Sequence, residues 1–162
     1  MERSLDGTGA GSCVFCRIVD GVDPAFVVGG DAQAHAFLDT RPLFPGHVLV
    51  VPRRHVVTLA ELDPDAIGPF FTFVQRMEVA VRTAMGAAGS FVAMNNVVSQ
   101  SVAHLHVHVV PRNRRDGLRG FFWPRTRYSD DEAARSVSNA ILLAFSGSGA
   151  GPDPDADGVP VQ

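Results

Sequence analysis

The sequence predicts an α+β fold: a mainly antiparallel sheet of about five strands, one long helix and one C-terminal helix. Three observations carry this. The apolar periodicity runs β-β-β-α-β-β-α. Turn residues join short strands directly, as in hairpins. The helices stand apart instead of following each strand, as a doubly wound nucleotide fold requires. The 162 residues suit one domain with a real core.

Each element has a local cause. "AFVVGG" and "AHAFLD" are short strands joined by a Gly-Gly-Asp turn signal, and "HVLVVP" (47–52) is a buried strand that Pro52 ends. Asp63 before Pro64 opens a helix, with proline at its first position. Gly86 ends it after Met85. Its apolar stripe is Ile67, Phe70, Phe71, Val74, Met77, Val81, Ala84 and Met85. "SFVAMNN" (90–96) and "HLHVHVVP" (104–111) are the last two strands, the second stopped by Pro111. "SDDE" (129–132) forms a capping box for a helix with Ala133, Val137, Ala140, Ile141, Ala144 and Phe145 on one side. Residues 1–12 and 146–162 are Gly-, Pro-, Asp- and Ser-rich and are expected to be disordered tails around a domain of 13–145. Their "GTGAG" and "GSGAG" neither follow a strand nor open a helix, so neither is a phosphate loop.

Composition excludes several functions. A net charge of -3 argues against general nucleic-acid binding. No apolar run is long enough to span a membrane. Two cysteines are too few for a disulfide scaffold, and the N-terminus has no apolar targeting core, so a cytoplasmic protein is expected.

Two motifs remain. "SVAHLHVHVV" (101–110) places His104, His106 and His108 at every second position, one face of a strand. Neighbours on such a face sit roughly 6.6 Å apart, so one metal can take two of them but hardly three. A single strand histidine is usually only half-exposed decoration; three in register cost stability unless used. "CVFC" (13–16) follows no strand, which weighs against a redox pair and leaves half a zinc site. His55 in "PRRHV" and one histidine of the row are the natural remaining ligands.

"SQSVAHLHVHVVPR" resembles the signature of the histidine triad (HIT) superfamily. "AFLDTRPLFPGHVLVVPRRH" (36–55) is similar to its first conserved block, and "CVFCRIVDG" to the N-terminal segment of its zinc-containing branch. The likeness covers about residues 13–112 in order and spacing. It implies a HIT-like fold and specific roles. His106 matches the nucleophile that attacks the α-phosphorus of a nucleotide. His104 matches a zinc ligand beside Cys13, Cys16 and His55. His108 matches the group that contacts phosphate and helps the leaving group depart. Gln100 and Ser101 match a phosphate-binding pair, Asp39 the carboxylate that holds the ribose, and Phe15, Ile18 and Phe37 the slot for the base. Asn95 or Asn96 matches a site asparagine, and His47 a supporting histidine. Ser99 departs from the pattern, standing where glycine is usual. "RNRRDGLRGFFWPRTR" has a bland reading as a solvated loop and a sharper one, through Trp123, as a cover for the substrate.

The chemistry is coherent without the resemblance. Imidazole is mostly neutral at pH 7 and hence nucleophilic. A histidine nucleophile divides nucleotidyl transfer into two displacements. A four-ligand zinc has no open position and is structural. The expected activity is a nucleotide hydrolase or nucleotidyl transferase acting on a purine nucleotide conjugate, a phosphoramidate or dinucleoside polyphosphate. The alternative is a zinc-stabilised nucleotide-binding module without significant turnover; a hexose-1-phosphate uridylyltransferase relative and a redox protein rank below it. The long helix carries an apolar arc of roughly 160° once Phe71 and Phe73 are included, more than one sheet face needs, which predicts a homodimer.

Overall fold

The computed structural model describes residues 13–118 and 128–147, the last six by their backbone alone. The chain divides after Leu118 into two units. The first holds α1 (Val14–Val19), β1 (Val27–Gly30), β2 (Ala34–Leu38), β3 (Val48–Pro52), α2 (Pro64–Met85), β4 (Gly89–Ala93) and β5 (Val107–Arg112). Its five strands form one sheet in the order β1-β2-β3-β5-β4, every pair antiparallel. The predicted class is the observed one. The second unit carries α3 (Asp131–Gly147).

The long helix forms where its signals place it. The Asp63 carboxylate accepts the Asp65 amide at 2.9 Å, Pro64 fills the first turn, and Gly86 closes the helix in the left-handed region at φ 58°. Phe70, Phe73, Val74, Met77 and Val81 pack on Ala34, Ala36, Val48, Val50, Val107 and Val109 of the sheet. Each large apolar side chain so buried contributes about 1.5–3 kcal/mol. The stripe is turned from the expected one: Phe73 is buried, while Ile67 and Met85 are exposed. Phe73 therefore spends part of the apolar excess on the chain's own core.

The other sheet face is covered by α1. Phe15 packs there with Phe37, Leu49 and Val51. The β1–β2 turn is tied by Asp31, whose Oδ1 accepts the amides of Gln33 (2.8 Å) and Ala34 (2.9 Å); both glycines of the turn signal lie in β1, opposite Ala36 and His35, and the turn follows Gly30. In α3, Asp130 is the capping residue rather than Ser129. Its Oδ1 accepts the Ala133 amide at 2.8 Å, while Ser129 only donates to the Asp130 carboxylate. The helix continues to Gly147, two residues past the expected boundary, and Val137 and Ile141 of its stripe are exposed. The two tails, apart from Ser146 and Gly147, and Trp123 lie outside the described residues.

Candidate active site and metal cluster

The histidine row is not one strand face. β5 begins only at Val107, so His104 and His106 precede the strand. The His104 amide turns back to the Val102 carbonyl at 2.8 Å, and the Leu105 amide bonds to Val56 at 2.7 Å. This bend separates the three side chains by task. His104 is fully buried beside the cysteines; His106 and His108 line a cleft, their rings 5.0 Å apart.

Cys13, Cys16, His55 and His104 each offer one ligand atom, and these lie within 4.8 Å of one another. His104 Nδ1 is 3.5 Å from both sulfurs, and His55 Nδ1 is 3.2 Å from Cys16 Sγ. A tetrahedral zinc with ordinary bond lengths needs ligand separations of about 3.3–3.8 Å. His104 Nε2 donates to the Pro52 carbonyl at 2.9 Å, which leaves the Nδ1 lone pair facing the sulfurs. Burial and the adjacent Cys13 thiol push the Cys16 thiol up to about 11. Two crowded thiols need a cation to ionise, and a dication reverses that cost. The donor set fits zinc.

Backbone partners fix the cleft tautomers as well. His106 Nδ1 lies 2.7 Å from the His104 carbonyl, which can only accept, so Nδ1 carries the proton and Nε2 keeps its lone pair. His47 Nδ1 accepts the Leu43 amide at 3.2 Å, so Nε2–H donates to His108 Nδ1 at 2.9 Å. His108 is then left with its proton on Nε2. Burial first, then the charges of His106 and His47, lower His108 to about 4; it is a neutral donor near pH 7. Asp39 Oδ2 stands 3.6 Å from His47 Nδ1, and its Oδ1 accepts the Arg41 amide at 2.8 Å. Gly46 shapes this loop: at φ 88° it takes a left-handed turn, and a Cβ there would meet Met85 Cγ at 2.6 Å.

The cleft encloses about 790 Å³, within the ordinary range for small-molecule sites, and Phe15, Ile18, Phe37, Asp39, Ser101, His106 and His108 all line it. The HIT domain family model matches residues 20–115, which include the histidine row and the Asp39 loop. The chain belongs to the HIT family. Among its HIT relatives is the adenosine 5'-monophosphoramidase hnt1 of Schizosaccharomyces pombe, 32% identical over 123 residues, covering 75% of this chain and 90% of that protein. The Arabidopsis thaliana adenylylsulfatase HINT3 is 34% identical over 108 residues, 65% of this chain and 55% of the relative. A zinc-bound histidine triad family protein from Mycobacterium smegmatis superposes with a TM-score of 0.64 at 35% identity, covering 86% of this chain and 99% of that one.

Within this HIT domain not every expected residue faces the cleft. Gln100 spends its amide on the loop: Nε2 donates to the Val57 carbonyl at 2.7 Å and Oε1 accepts the Val97 amide at 2.9 Å. Asn95 donates to the Ser99 carbonyl, and Asn96 accepts the Leu59 amide; neither lines the cleft. Ser99 sits at φ 62°, which is the physical reason a glycine suits that position. Sequence reasoning missed Val14, Leu49 and Val102 as lining residues. Leu49 had a signal, since it shares a strand face with Val51 and Phe37 sits opposite it across the β2–β3 ladder.

Proposed function

We propose that this protein is a hydrolase or nucleotidyl transferase that attacks the α-phosphate of a purine nucleotide conjugate, a phosphoramidate or dinucleoside polyphosphate, through a nucleotidyl-histidine on His106. The observation that carries this reading is the 2.7 Å bond from His106 Nδ1 to the His104 carbonyl, which leaves Nε2 free on a cleft-lining ring. Nε2 forms a bond to phosphorus as the bond to the leaving group breaks, and His108 Nε2–H supplies the departing atom's proton. Water then displaces His106, giving its proton to His108 and releasing the nucleoside monophosphate. Ser101 is the hydroxyl donor beside the phosphate. Asp39 accepts the ribose hydroxyls, and Phe15, Ile18 and Phe37 hold the base. Gln100 keeps the loop that presents Ser101. Cys13, Cys16, His55 and His104 hold a structural zinc, which supplies cross-linking and no open coordination position.

The relatives named for phosphoramidate and adenylyl-sulfate chemistry support a substituted α-phosphate as the substrate class. A homodimer fits β4, the last strand in the order of the described sheet, where Val92 is exposed, together with Val79 on α2. No described helix is long and apolar enough to cross a membrane. Thiols used as metal ligands suit the reducing cytoplasm.

His106→Ala tests the reading. It is expected to retain fold, zinc and nucleotide binding and to lose more than the roughly 10²- to 10⁴-fold that proton-transfer help alone provides. Mass spectrometry of protein quenched at neutral to basic pH should find the nucleotidyl group on His106. Nucleotide binding with no label and no turnover in the wild type would leave a binding module instead.

A further inference from the structure

The cleft wall carries a guanidinium that the reading above leaves unused. Arg41 is the only arginine or lysine among the described residues that line the cleft, and its side chain makes no hydrogen bond or ion pair with the described residues. Asp23, on the same wall, is already matched: its two oxygens accept Arg17 Nε at 2.9 Å and Nη2 at 2.6 Å. Arg41 is held by its backbone instead, whose amide donates to Asp39 Oδ1 at 2.8 Å. The other oxygen of Asp39 stands 3.6 Å from His47, and His47 Nε2 donates to His108 at 2.9 Å. These contacts seat Arg41 on the side of the cleft that holds the histidine assigned to the leaving group. The α-phosphate has donors of its own in Ser101 and His108. A guanidinium has five N–H donors and no acceptor. It meets two oxygens of a phosphate or sulfate as a planar fork and offers nothing to a departing amine.

We propose that Arg41 is a specificity-determining residue that binds an anionic group on the leaving portion of the substrate, the second phosphate of a polyphosphate or a sulfate. This rests on the proposed function and narrows it: conjugates with an anionic leaving group are preferred to phosphoramidates of simple amines.

Calorimetric titration of the full chain with AMP and with α,β-methylene-ADP, whose bridge cannot be cleaved, tests the assignment without turnover. Wild type is expected to bind the analogue more tightly than AMP. Arg41→Gln should weaken the analogue about tenfold more than it weakens AMP, the worth of roughly one charge-assisted hydrogen bond. Arg41→Lys should restore part of that difference, and melting curves check that both variants fold. Equal losses for the two nucleotides, or none, overturn the role of Arg41. A selective loss seen only with adenosine 3',5'-bisphosphate moves the anion to the ribose and overturns the leaving-group assignment. Failure of wild type to bind AMP at all rejects the nucleotide reading of the cleft, and this proposal with it.

Discussion

Two residues of the loop before Ser101 hold left-handed backbone, Val97 at φ 67° and Ser99 at φ 62°. That conformation costs a residue with a Cβ about 1–2 kcal/mol, and branching at Cβ puts Val97 at the upper end. Val97 is 73% exposed, so its side chain returns little through burial. Glycine removes the strain but frees the unfolded chain, a penalty of about 0.5–1 kcal/mol. Val97→Gly is therefore expected to stabilise by about 0.5–1 kcal/mol, and Val97→Asn by a similar amount without the entropic penalty. Ser99→Gly should gain less, about 0–1 kcal/mol. Urea unfolding at fixed metal content reads this as a raised midpoint with an unchanged slope; for a slope of about 2 kcal/mol/M the shift is about 0.3–0.5 M. Lower midpoints in both Val97 variants would refute the strain. Turnover measured beside stability shows what the strain does: a fall in kcat/KM as stability rises means that it holds Ser101 in place.

Replacing Cys13 and Cys16 by serine should remove the bound zinc, seen by elemental analysis, and lower the melting temperature; a zinc content equal to wild type sinks the cluster. His35 is buried, neither ring nitrogen has a hydrogen-bond partner among the described residues, and burial followed by the Arg53 charge lowers its pKa. The unfolded chain therefore takes up a proton near pH 6.5 that the folded one refuses, and stability falls as pH drops below that value. His35→Leu should be neutral or stabilising by up to about 1 kcal/mol at pH 7 and should flatten that decline; midpoints that track wild type from pH 7 to pH 4 count against it. Light scattering should give a dimer mass that Val92→Lys reduces to a monomer; a monomer mass for wild type at micromolar concentration rejects the dimer.

What the sequence made legible was local. Asp63-Pro64 and Gly86 mark both ends of α2 because caps act over a few residues, and an unbroken apolar run marks β3 because Val48, Leu49, Val50 and Val51 are all buried. Helix α1 escaped notice because six residues are too few to show a period. The start of β5 was misjudged for a different reason. His-x-His-x-His alternates as a strand does, but the backbone of His104 and Leu105 bonds to Val102 and Val56 instead of a ladder, a choice made by distant residues. The Cys13, Cys16, His55 and His104 cluster was legible because cysteine and histidine have few other uses together. The His47–His108 bond was not, since it depends on β3 lying beside β5 across 61 positions of sequence.

Helix α1 carries Cys13 and Cys16 toward one cluster and Phe15 and Ile18 toward the cleft, all within one short turn of chain. Six residues do not hold a helix alone in water. The hold of α1 on the domain comes from Phe15 packing on Phe37, Leu49 and Val51. A metal bound to the sulfurs would add a second hold on the same turn. Under the proposed function, anything that steadies this turn steadies the wall of the cleft as well, and by linkage a ligand that gained from it would strengthen metal binding by the same factor.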